Sequence, residues 1–210
     1  HPFVEAHPEA VFIKRTAVVD KLDASAKQGE GLRFAREYFT GHEDAGIPFT
    51  NALAFKPNLT CTMGTGNTPE GMGIITDLDF LDGLFEGIKE TGFPGYNMFA
   101  REANWMNNGY CTGEYLVTGA RMHGITQKHG MHLFDFQSGR NIYDMKLADL
   151  QDGTEVIWRD VADGVVFNRI GYLAPCNDDA SWLINIAKFK THSMGMTLCT
   201  KNLQGMVVAP

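Results

Sequence analysis

The chain has 210 residues, of which 44% are hydrophobic and 20% charged, and a formal net charge of -7. This composition suits a globular protein with one substantial α/β core. No run is long and apolar enough to cross a bilayer. The acidic balance argues against a dedicated nucleic-acid binder, which needs a broad basic face, and leaves room for a local basic pocket.

In chain order, "AVFIKRTAVV" predicts a first strand, because it is rich in β-branched and aromatic residues. Asp23 is placed to cap a helix running to about Phe39, with Leu32, Ala35 and Phe39 on one face. "NALAFKPN" predicts a short apolar strand ending near Lys56, since Pro57 has no ladder donor. The glycine- and threonine-dense loop "TCTMGTGNTPEGMG" follows. Asp77 is a second N-cap, and Leu81, Leu84, Phe85 and Ile88 form a core-facing stripe that Gly92 closes.

"YNMFARE" predicts a third strand, and "TGEYLVTGARMHG" a short helix opened by Thr112. "MHLFDF" and "VVFNRI" predict later strands around an irregular, aspartate-rich insertion at about 137–164. "SWLINIA" predicts the last strand, with a helix over about Met196 to Gln204 and Gly205 at its end. Strands alternating with helices imply a layered α/β fold with a largely parallel sheet, in one domain spanning 1–210. The chain starts at His1 and stops abruptly at "KNLQGMVVAP", so the fold is expected to be incomplete at its C-terminus.

The four cysteines, Cys61, Cys111, Cys176 and Cys199, are scattered, and no CxxC occurs. A zinc ribbon or a locally encoded iron–sulfur loop is therefore unsupported, and isolated thiols are expected. His123, His129 and His132 lie among glycines without zinc-motif spacing and are expected on a surface loop. No serine sits in GxSxG, which leaves a serine-hydrolase elbow unsupported.

The densest chemistry lies in "NIAKFKTHSMGMTLCTKNLQG", with three lysines, a histidine and no carboxylate. If the strand persists past Ala187, its period of two sends Lys188, Lys190 and His192 to one face. Ammonium groups at alternate positions repel, and each lowers the pKa of the other, which favours a neutral, reactive amine. His192 adds a group that titrates near neutrality. The bland alternative is a solvated strand end. Lys201 and Asn202, placed beside it by the following helix, favour a pocket.

Lys56, Asn58 and Thr60 belong to the same reading, because ligands of open α/β sheets collect at the carboxyl ends of strands. The loop after them is either an anion nest or a tight turn; it is no Walker A loop, and Pro69 spoils a dinucleotide fingerprint. Glu102, after the third strand, is a general-base candidate or an ion-pair partner for a lysine.

"FKPNLT", the downstream "GIITD" and above all Lys188, Lys190, Thr191 and His192 followed by Thr197, Leu198, Lys201, Asn202, Leu203 and Gly205 resemble the domain of unknown function 362 family over about 54–205. The resemblance implies a bacterial or archaeal α/β domain of unassigned role. Relatives with ferredoxin-like segments suggest redox chemistry nearby, and others carry twin-arginine export signals, so an extracytoplasmic compartment is one option. The clustered cysteines of the first group are missing here.

The expected function is binding of a small carboxylate or phosphate, with enzymatic acid–base chemistry left open and no cofactor specified. His192, Lys190 and Lys188 form the catalytic set. Lys56, Asn58, Thr60, Thr191, Lys201 and Asn202 form the binding set, with Glu102 as acid–base partner. The alternative is a non-catalytic cell-envelope or assembly component that meets an acidic partner or another subunit through the same surface. A metal held by His192 with Glu70, Asp77 or Glu102 is a third option that no spacing singles out.

Overall fold

The computed structural model describes residues 6–11, 13–39, 50–59, 75–102, 112–133, 152–192, 195–197 and 199–208. Helix α1 (Ala24–Tyr38), strand β1 (Ala52–Pro57), helix α2 (Leu78–Glu90), strand β2 (Met98–Ala100), helix α3 (Thr112–His129) and strand β3 (His132–Leu133) form the first part. Strands β4 (Val156–Asp160), β5 (Arg169–Leu173), β6 (Ser181–Ile186), β7 (Lys190–His192) and β8 (Gly195–Thr197) follow. The short helix α4 (Cys199–Asn202), a 3-10 turn (Leu203–Met206) and β9 (Val207–Val208) come last.

A four-stranded parallel sheet in the order β3-β2-β1-β6 is the centre of an α/β architecture. β1 pairs with β6 from Ala52–Ser181 to Pro57–Ile186, so both strands finish together. The period of two sorts β1 between two cores. Leu53 and Phe55 join the cluster formed with the α2 stripe of Leu81, Leu84, Phe85 and Ile88. Ala54 faces the other way, against Val156, Leu173, Cys176 and Met206. The second face is thereby covered by the antiparallel sheet β4-β5-β9 and the 3-10 turn.

Both predicted caps form. The Asp23 carboxylate accepts from Ala26 N at 2.9 Å, and Asp77 accepts from Asp79 N at 3.0 Å and Phe80 N at 3.2 Å. α1 and α2 run side by side in the same direction, because Lys27 pairs with Asp77 near their starts and Arg36 with Glu90 near their ends. Their backbones touch through glycine. A Cβ on Gly83 would stand 1.9 Å from Gln28 O, and one on Gly31 would stand 2.0 Å from Phe80 O.

Several boundaries differ from the sequence expectation. The described residues of "AVFIKRTAVV" form no strand; they lie beside α1 with no sheet partner among the described residues, and β-branched residues favour strands only where a paired, half-buried surface exists. The "VVFNRI" strand starts later, at Arg169, with Val165, Val166 and Phe167 exposed ahead of it. α3 runs on to His129 rather than stopping near Gly124. Met196 to Gln204 does not form one helix; β8 takes Met196, and only Cys199–Asn202 is α-helical. Within 137–164, the residues from 152 on are described and supply β4.

The glycine contact separates packing from propensity. Gly83→Ala is expected to destabilise by about 1–3 kcal/mol through overpacking. Gly29→Ala, in the exposed middle of α1 with nothing within 4 Å, is expected to stabilise by about 0.5–1 kcal/mol. Urea unfolding of both variants checks the opposite signs.

Candidate functional site

β1, β2 and β6 all point their carboxyl ends to one place. The residues that leave those ends are Lys56 to Leu59, Arg101 and Glu102, and Ala187 to Lys190. Lys56 follows Ala54 on the face turned from α1 and α2, and its side chain is fully buried. A buried ammonium requires a counter-charge, and Glu102, extending from β2, supplies it. Lys56 Nζ lies 2.7 Å from Glu102 Oε1, with side-chain exposures of 0% and 1%.

The ammonium aims its donors at Pro57 O, 2.6 Å away, and at Asn202 Oδ1, at 3.3 Å. Oε1 meets it as a charge without an aligned hydrogen bond, while Oε2 accepts from Leu59 N at 2.8 Å. Burial pushes the Lys56 ammonium down and the Glu102 carboxyl up, against their mutual attraction.

Two small networks lock the strand ends around this pair. Asn202 Nδ2 donates to Lys56 O at 2.8 Å and to Asn185 Oδ1 at 2.8 Å, and Asn185 Nδ2 donates to Cys199 O at 2.9 Å. Thr76 Oγ1 accepts from Asn58 N at 2.8 Å and donates to Ile186 O at 2.7 Å, clamping β1 to β6. Gly205 closes over the pair: a Cβ there would stand 2.1 Å from Glu102 Oε1 and 2.9 Å from Lys56 Nζ. A side chain here would have to displace the ends of the buried pair.

Lys190 comes back to the same place. Its Nζ donates to Asn58 Oδ1 at 3.0 Å, and its side chain is half-buried. Burial pushes this ammonium below the ordinary 10.5; the charges of Lys201 and Lys188 push the same way, and Glu102 opposes them. Lys188 and Lys201 have no carboxylate partner among the described residues. Below the pair, Arg101 reaches the carbonyls of Ala174, Ala100 and His132, and burial lowers its pKa to about 10. Burial also raises the Cys176 thiol to about 11, so it is inert near neutral pH.

The structure thus brings together Lys56, Asn58, Glu102, Lys190, Lys201 and Asn202, with Lys188 beside Lys190. The route differs from the expected one. β6 stops at Ile186, so Lys188 and Lys190 do not share a continuous strand face. Lys56 and Asn202 are engaged inside the protein, as is Glu102. The Thr191 residue is exposed in the β7-β8 hairpin, where His192 pairs with Gly195 through the backbone. Thr60 and Glu70 lie outside the described residues.

Sequence reasoning missed Thr76, although "GIITD" contained it, and gave Gly205 only a helix-ending role. Cys176 and Cys199 are free thiols; Cys61 and Cys111 lie outside the described residues. Two of the three histidines were misplaced. His123 and His129 belong to α3, and His129 is buried with Nε2 2.6 Å from Asp82 Oδ1. Their glycine neighbours had suggested a loop, but helices tolerate an isolated Gly124 whose surroundings are open.

The buried pair gives a stability test. Lys56→Met or Glu102→Leu alone strands one buried charge and is expected to lose about 3–5 kcal/mol. The double variant Lys56→Met/Glu102→Leu is expected to lose less than the sum in a urea double-mutant cycle; additive losses would show that the two charges do not depend on each other.

Comparison with curated proteins and with solved structures finds no match. A family model does match, over residues 53–210, the stretch that carries β1, the buried pair and the lysine cluster. The chain belongs to the family described as Domain of unknown function (DUF362).

Proposed function

We propose that the carboxyl ends of β1 and β6 bind a small carboxylate or phosphate, with Lys190 as the central cation. Lys188 and Lys201 add flanking charge. Asn58 orients the ligand, with Thr191 and His192 of the adjoining hairpin as the further polar and acid–base candidates. Lys56, Glu102 and Asn202 act from behind as a fixed wall.

One observation carries this reading. The half-buried Lys190 ammonium donates to Asn58 Oδ1 at 3.0 Å close to Lys188 and Lys201, two cations with no carboxylate partner among the described residues, while Glu102 is paired with Lys56. An external anion relieves that repulsion and gains charge-assisted hydrogen bonds. A lysine with a depressed pKa also supplies more neutral amine for acid–base chemistry than an ordinary one.

The second reading, a binding surface for a partner subunit, is favoured by exposed apolar side chains near the same strand. Trp182 is 49% exposed, Phe189 73% and Met196 66%. It predicts that Phe189→Ser lowers the mass measured by sedimentation, whereas a purely ligand-binding site leaves that mass unchanged.

Calorimetric titration with inorganic phosphate and with succinate tests the main reading. Lys190→Met is expected to weaken binding at least about tenfold at pH 7, the loss of roughly one charged hydrogen bond, with unfolding free energy retained. Unchanged affinity would refute the proposal.

The pH dependence has a definite sign. The anion binds protonated Lys190, so the amine's contribution is full below its depressed pKa and is lost as pH rises through it, before an ordinary lysine would titrate. Affinity for succinate, whose own charge is constant there, is expected to fall between neutrality and pH 10.5 in the wild type. The Lys190→Met variant is expected to show a flatter profile over the same range.

A further inference from the structure

The lysine cluster borders a cavity of about 860 Å³ on the helix side of the sheet. The segment around Lys14 to Val18 forms one wall, α1 a second, and the end of β6 with Lys188 a third. Its volume lies within the range of small-molecule sites.

Three features define what fits. The lining is mostly apolar, with Phe34, Phe39, Phe80 and Ile184 on the walls. The rings are arranged rather than scattered: Phe34 meets Phe80 edge-on with centroids 5.9 Å apart, and still leaves 37% of its surface open. Positive charge at the rim is incompletely answered. Arg33 pairs with Glu30 and Lys27 with Asp77, but Lys21 and Lys188 have no carboxylate partner among the described residues.

Lys188 belongs to both places, lining this cavity and lying close enough to Lys190 for its charge to depress that ammonium. We propose that the ligand of the anion site is an aromatic acid, whose carboxylate or phosphate sits at Lys188 and Lys190 and whose ring packs against Phe34 and Phe80. The inference rests on the anion-binding reading given above and adds the apolar body of the ligand. Aromatic walls select a flat ring through edge and face contacts in addition to buried area. The two unanswered cations exclude a neutral hydrocarbon as the preferred occupant.

The test is calorimetric titration with 2-naphthoate, 2-naphthyl phosphate, acetate, inorganic phosphate and the neutral 2-naphthylmethanol. The wild type is expected to bind a naphthyl acid at least about tenfold more tightly than acetate, inorganic phosphate or the alcohol. The better of the two acids identifies the head group. Phe34→Ala is expected to remove the advantage of the ring while leaving inorganic phosphate binding unchanged. Lys188→Met is expected to weaken the naphthyl acids and spare the alcohol.

If Phe34→Ala unfolds, Lys21→Met, an exposed position, is read instead and is expected to weaken the naphthyl acids selectively. Equal affinity for naphthyl and simple anions, with phosphate binding still lost in Lys190→Met, overturns the aromatic inference and leaves the anion site standing. Phosphate binding that is indifferent to Lys190→Met overturns the anion site itself.

Discussion

The buried contact between Lys56 and Glu102 is the constraint around which the strand ends are built. Neither charge is tolerable alone where no water reaches it. Their approach fixes how β1 and β2 finish and where Leu59 N points, and a side chain at position 205 would displace them. Asn202 extends the constraint to the last helical turn through Lys56 O and Asn185. Residues more than a hundred positions apart are thus held to one electrostatic centre.

That centre is internally neutral, which decides what remains outside it. With Glu102 answered by Lys56, Lys188 and Lys201 have no carboxylate partner among the described residues. Lys190 is held by the Asn58 amide, and Thr76 keeps the backbone beneath it in register with β6. A neutral, hydrogen-bonded floor under a set of mutually repelling cations is the physical basis of the proposed anion site, because a preorganised scaffold lowers the cost of binding. The location follows from parallel topology, since crossing strands leave their loops and free backbone groups at the carboxyl end.

Much of the fold was legible because local and tertiary signals agreed. Asp23 and Asp77 cap helices, the α2 stripe is buried, and "NALAFKPN" is the strand at the centre of the sheet. The alternation of Ala54 and Lys56 against Leu53 and Phe55 even separates the two cores. What was not legible depended on partners far along the chain. The β-branched residues before α1 look like a strand but pair with no strand among the described residues. The period-two argument for Lys188, Lys190 and His192 assumed a longer β6, while the lysines actually converge through a strand end and a hairpin. Local spacing marked Glu102 as a possible ion-pair partner, but not which lysine it meets. Gly205 reads as a helix terminator in sequence, and only its distance to Glu102 Oε1 reveals a packing requirement.

The central claim is that Lys56 is committed to the protein while Lys190, flanked by Lys188 and Lys201, answers to an outside anion. Lysine side-chain NMR, following the Cε resonances of both residues against pH with and without inorganic phosphate, measures this directly. The account predicts that phosphate raises the titration midpoint of Lys190 toward the ordinary lysine value and leaves the Lys56 signal in place. A phosphate-dependent shift at Lys56 with none at Lys190 would contradict it.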